Sequence, residues 1–103
     1  MSNLTCHWSK QDNGIVLSLS GQLSLAETGK FDAEIEDILE QKPERLVVDM
    51  SGLSAIGSAG LGALLKLQLR GRQQKCEVRL TGLQPNIEEV IKAARLDSVF
   101  TIS

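Results

Sequence analysis

Leu46-Val47-Val48-Asp49-Met50 is a short run, continuously apolar up to its Asp, and such a run reads as an inner strand with other structure over it. The rest of the chain must therefore supply neighbours and a cover. Thr5 to Lys10 and Ile15 to Ser20 both lean toward period-two alternation around the turn formers Gln11-Asp12-Asn13-Gly14, the pattern of a β-hairpin. Glu77 to Thr81 is a fourth strand candidate, and Val99-Phe100-Thr101-Ile102 a short last one. Helical patterns lie between them. Ser24-Leu25-Ala26-Glu27 has the Ser-x-x-Glu form of a capping box, after which Phe31, Ile35, Ile38 and Leu39 recur at helical spacing until Lys42-Pro43. A first helix from about residue 25 to 41 follows. A second is expected from Ser58 to about Arg72. Pro85 opens a third, whose face is Ile87, Val90, Ile91 and Ala94. Strands alternating with helices after an opening hairpin predict an α/β fold, a mixed sheet with helices packed on it.

The second helix carries a surplus of apolar residues. At about 100° per residue, Leu61, Leu64, Leu65, Leu67 and Leu69 spread over about 200°, wider than the arc of about 100° that covers one sheet. Another helix or a partner must cover the remainder. With 103 residues, 42% hydrophobic and 23% charged, the chain is expected to form one domain over 1–103 around one core. The formal charge is −2, with Lys and Arg scattered, so there is no basic stripe to follow nucleic acid. No basic segment followed by an apolar one opens the chain, and no apolar stretch reaches about 18 residues, so the expectation is a cytoplasmic protein without membrane insertion. Cys6 and Cys76 are expected to be buried free thiols in a reducing compartment.

Catalytic chemistry finds few residues. Gly57-Ser58-Ala59-Gly60-Leu61-Gly62-Ala63 is glycine-rich, but Ala63 and Leu64 follow Gly62 where a P-loop needs Lys and a hydroxyl residue. A dinucleotide fingerprint from Gly60 and Gly62 fails at Leu65, where a small residue is required. Those glycines instead suit a tight strand-to-helix turn and close helix packing. His7, the one histidine, lies in the first strand, remote in sequence from Cys76 and from any Ser-Asp pair. Glu34, Glu36, Asp37, Glu40, Glu88 and Glu89 fall opposite the apolar stripes, as solvated surface does. The expectation is a non-enzyme with no cofactor and no metal.

Val47-Val48-Asp49-Met50-Ser51-Gly52-Leu53-Ser54-Ala55-Ile56-Gly57-Ser58-Ala59-Gly60-Leu61-Gly62-Ala63-Leu64-Leu65 resembles the central segment of the STAS family, which includes bacterial anti-sigma-factor antagonists. Leu19-Ser20-Gly21-Gln22-Leu23 looks like the family's Gly-x-Leu-Asp lead into helix one. Leu80-Thr81-Gly82-Leu83 and Leu96-Asp97-Ser98-Val99-Phe100-Thr101-Ile102 resemble its closing segments, so the likeness covers nearly the whole chain. The resemblance implies helices mainly on one face of the sheet. It also implies phosphorylation at Ser58 by a GHKL-type serine kinase that doubles as the anti-sigma factor, with release on phosphorylation and resetting by a metal-dependent serine phosphatase. Three positions depart from the pattern: Gly57 and Ser24 stand where the family has Asp, and Arg95 where it commonly has Gly.

Taken alone, a serine opening a helix is also an N-cap, and the two roles are compatible. A partner surface would be formed by Leu53, Ser54, Ile56, Gly57, Ser58, Ala59, Gly60 and Leu61, with core packing as the competing role for Ile56 and Leu61. The alternative function is an accessory STAS subunit that binds the ATPase of a lipid transporter.

Overall fold

Strands β1 (Leu4–Gln11) and β2 (Gly14–Leu23) pair antiparallel from Leu4 opposite Gly21 to Gln11 opposite Gly14, so Asp12 and Asn13 form the turn. Asp12 takes the left-handed conformation, with φ 52°, which Asp tolerates better than most residues. The computed structural model describes residues 3–103; residues 1 and 2 of the expected 1–103 domain lie outside the described residues. After the hairpin come a 3-10 turn over Leu25–Glu27, α1 (Thr28–Glu40), β3 (Arg45–Ile56), α2 (Ser58–Gln73), β4 (Glu77–Thr81), α3 (Pro85–Ala93) and β5 (Thr101–Ile102).

The sheet order is β1-β2-β3-β4-β5, with β2 to β5 mutually parallel. Parallel neighbours need crossovers, and such crossovers are right-handed in nearly all proteins. Since every crossover here steps the same way across the sheet, all three helices land on one face. The side chains agree. Ile15, Leu17 and Leu19 of β2, Leu46, Val48 and Met50 of β3, and Val78 and Leu80 of β4 are buried with Phe31, Ile35 and Ile38 of α1, Leu64 and Leu67 of α2, and Ile87 and Ile91 of α3. The other face carries Val16, Ser18, Val47, Asp49 and Arg79, all at least partly exposed. Trp8, at the edge, turns its ring to the helix side and donates from Nε1 to Glu34 Oε2 at 3.1 Å.

Several elements differ from the sequence expectation. β3 continues past Met50 to Ile56, because β2 continues beside it with register shifts between Ser18 and Ser20 and between Gly21 and Gln22; bulges like these are invisible to a periodicity argument. The first helix opens as a 3-10 turn, with Glu27 buried at 3% exposure and accepting from both the backbone N–H and the hydroxyl of Ser24. On α3 only Ile87 and Ile91 are buried; Val90 and Ala94 are exposed. The surplus leucines of α2 are covered in part by α1, which meets α2 through Lys66–Asp32 and Arg70–Glu36 ion pairs, while Leu69 stays 52% exposed.

Candidate functional site

The parallel strands β2, β3 and β4 end at Leu23, Ile56 and Thr81, so the segments leaving them gather at one end of the sheet. In sheets of this kind the carboxyl ends of the strands are where binding residues collect. Ser58 stands there at the first turn of α2. The expectation that it caps the helix is corrected by the backbone. Gly57 is the N-cap, extended at φ −101° and ψ 178°, and no side chain caps the helix. Ser58 is the first helical residue, one position too late for its hydroxyl to reach the N–H groups a cap serves. Its side chain is exposed and makes no hydrogen bond among the described residues.

Contacts from three directions hold this turn in place. Gly57 N–H donates to Leu23 O at 2.9 Å. Gly60 lies so close to β2 that an added Cβ would stand 2.2 Å from Leu23 O and 2.9 Å from Ile56 Cγ1; only glycine allows that approach. The end of β3 is clamped on both sides. Ser54 Oγ donates to Gly21 O at 3.0 Å, while Gln84 Nε2 donates to Ser51 O at 2.9 Å and Asn86 Nδ2 to Ser54 O at 2.8 Å. The long strand and the side chains before and inside α3 thus fix the base from which Ser58 projects.

The eight residues expected at a partner surface separate by burial. Ser54 and Ser58 are exposed, and Ile56, Gly57, Ala59 and Leu61 are half-buried, so all six present surface beside one another. Leu53 is a correction: it is 0% exposed and belongs to the core, because the register shift that pairs Ser18 with Asp49 but Ser20 with Gly52 breaks the alternation after Met50 and turns Leu53 inward. Gly60 is buried too, and its smallness serves the packing of α2 on β2. One surface residue was missed by sequence reasoning. Leu25 is 77% exposed in the 3-10 turn that packs against α2, and the signal available was that it is out of phase with Phe31, Ile35 and Ile38.

Around Ser58 the chain carries no ionisable side chain from Met50 to Leu65. His7 is exposed on β1 and lies among strand residues rather than at this end. Cys6 and Cys76 are free thiols. Burial, followed by the charge of Glu34 for Cys6 and of Glu77 for Cys76, raises both above the ordinary thiol range. Neither has the electropositive setting of a reactive cysteine. No cluster of His, Cys, Asp or Glu able to hold a metal occurs among the described residues, and no helix among them is long and apolar enough to cross a membrane. A shallow groove of about 280 Å³ lies at the opposite end of the sheet, lined by Lys10, Asp12, Asn13, Lys42 and Glu44 among others, far along the strands from Ser58. What the Ser58 end can offer is an exposed hydroxyl on a rigid, partly apolar surface.

Three comparisons with known proteins bear on the family and the fold. A family model described as "Mlab, STAS domain" matches residues 6–102. The chain is 29% identical over 94 residues to a protein of Bordetella bronchiseptica named "Putative anti-sigma factor antagonist BtrV", covering 91% of this chain and 81% of that one. Among solved structures, an anti-sigma factor antagonist from Mycobacterium paratuberculosis superposes with a TM-score of 0.82 at 24% identity, covering 96% of this chain and 84% of the other. The anti-sigma factor antagonist SpoIIAA in its unphosphorylated form gives a TM-score of 0.74 at 16% identity, over 96% of this chain and 87% of that one.

Proposed function

From the premise that the chain belongs to the STAS domain family, we propose that it is an anti-sigma-factor antagonist-like binding protein of the cytoplasm, switched by phosphorylation of Ser58. Unmodified, it binds a GHKL-type serine kinase that acts as anti-sigma factor; phosphorylated, it lets go, and a metal-dependent serine phosphatase restores it. The observation that carries this reading is the Ser58 hydroxyl, exposed, without a hydrogen bond among the described residues, and set at the start of α2 among Ser54, Ile56, Gly57, Ala59 and Leu61.

Magnitudes favour a switch that acts on binding. A phosphate adds about −1.5 to −2 charge beside the positive end of α2, an interaction worth about 0.3–2 kcal/mol, so the fold is barely altered. Burying that charge unmatched in an interface costs about 2–5 kcal/mol, or about 30-fold to several thousand-fold in affinity. Nothing in this scheme asks the chain itself to catalyse a reaction.

The test is intact-mass analysis of the protein from its native host, with and without phosphatase treatment, followed by peptide mapping around residue 58. One phosphate on Ser58 that phosphatase removes is the expected result. One feature favours a second reading: Gly57 occupies the place of the family's Asp, so the acid before the serine is missing. An accessory subunit that holds a transporter ATPase constitutively would need no modification. A Ser58 peptide that stays unphosphorylated under all growth conditions would select that reading.

A further inference from the structure

The strands bring together three stretches that are separate in sequence and share a property. Residues 13–26, 50–65 and 80–87 contain no Asp, Glu, Lys, Arg or His, although 23% of the chain is charged. They include the ends of β2, β3 and β4 and the segments that leave them, and so meet at the Ser58 end of the sheet. Among the described residues, charges appear only at its margins, where Glu27 is buried beneath Ser24, Lys30 Nζ donates to Leu4 O at 2.7 Å at the β1 edge, Asp49 lies on the helix-free face, and Glu88 is paired with Lys92. The opposite end is charged, with Lys10, Asp12, Lys42, Glu44 and Arg45 on the hairpin turn and the segment before β3. On the neutral end Leu25 stands out at 77% exposure, next to the Gly57–Ser58 turn through the close packing of Ser24 on Gly57.

A face without charge selects its partner by what it cannot pair. Any charged side chain pressed against it would lose water and gain no counter-charge, a penalty of several kcal/mol per group. An apolar patch with hydrogen-bonding groups meets no such penalty and gains from covering Leu25. We infer that this charge-free end, with Leu25 as an anchor, docks an apolar patch of the partner protein that sets no charged side chain against it. The inference rests on the binding role proposed above and adds to it a contact residue and the chemistry of the partner's surface. It also explains why one phosphate is decisive there: on a neutral face, phosphorylated Ser58 becomes the dominant charge.

The full-length protein, carrying photoreactive benzoylphenylalanine in place of Leu25, Gly62 or Lys10, is irradiated in its native host and the cross-linked protein is identified by mass spectrometry. The same kinase-domain protein is expected from residues 25 and 62, and not from residue 10. That partner, once purified, is titrated with wild type, Leu25→Ala and Leu25→Asp at about 0.1 M and about 1 M salt, where the screening length falls from about 10 Å to about 3 Å. Affinity is expected to change less than about threefold with salt, and to fall about tenfold for Leu25→Ala and more than about 30-fold for Leu25→Asp. Because Leu25 is exposed, circular dichroism of both variants should match wild type.

A kinase cross-linked from residue 62 but not from 25, or a loss of about tenfold or more in high salt, overturns this inference and leaves the proposed function standing. Cross-linking from residue 25 to a second copy of this chain overturns it as well. Absence of any kinase from both positions removes the functional reading with it.

Discussion

Gly60 and Gly62 sit two residues apart in α2 and carry opposite constraints. A Cβ on Gly60 would run into Leu23 O at 2.2 Å, whereas nothing lies within 4 Å of one on Gly62. Gly60→Ala should therefore destabilise the domain by about 1–3 kcal/mol, since α2 must move off β2 or overpack it. Gly62→Ala should stabilise it by up to about 1 kcal/mol through helix propensity. Urea denaturation of both variants checks the pair, and a shift in the same direction for both would contradict the packing described. The glycines look alike in the sequence; only the distance to β2 separates them. Cys76 gives a pH-dependent counterpart. Its folded thiol holds its proton more tightly than the unfolded one, because burial first and Glu77 second disfavour the thiolate. The stability this contributes is whole below the ordinary thiol value of about 8.5 and is lost as pH rises through the folded value. Unfolding free energies measured from about pH 7 to about pH 10 should fall more steeply for wild type than for Cys76→Ala.

At the scale of elements, the Ser24–Glu27 capping box was legible from four letters, and the structure gives it a second task. Glu27 is 3% exposed and takes its hydrogen bonds from Ser24, directly beside the turn that carries Ser58. Ser24→Ala removes one donor from a buried carboxylate and weakens the helix start, at a cost of about 1–3 kcal/mol. A thermal melt reads this loss; a change below about 0.5 kcal/mol would mean that the box contributes little. Other elements were only partly legible. The Leu46–Met50 run marks β3, but its continuation through Ser51-Gly52-Leu53-Ser54-Ala55-Ile56 has the composition of a loop. Pairing with β2 and the amide donors of Gln84 and Asn86 hold it as a strand, and those partners are about 30 residues away.

Across the whole molecule, charge is distributed by end, and this sets what a modification of Ser58 can do. The turn at Ser58 is fixed by β2, β3 and residues 84–86, so an added charge has little local structure to disrupt. Ser58→Asp should leave unfolding free energy within about 1 kcal/mol of wild type while reducing affinity for the proposed kinase partner by about 30-fold or more. Calorimetric titration beside urea denaturation tests both halves. A variant that loses stability and affinity together would place the switch in the fold instead of the interface.

The order of elements, the α/β class, the capping box and the position of Ser58 at a helix start were determined by the sequence alone. Each rests on neighbours within about a dozen residues, where periodicity and capping chemistry act. The tertiary structure decided what depends on residues far apart: that Gly57 and not Ser58 caps α2, that Leu53 is core, that Leu25 is surface, and that three uncharged stretches share one end of the sheet. Burial and close approach are set by which strands pair and in which register, and pairing between distant segments leaves no local trace in the chain.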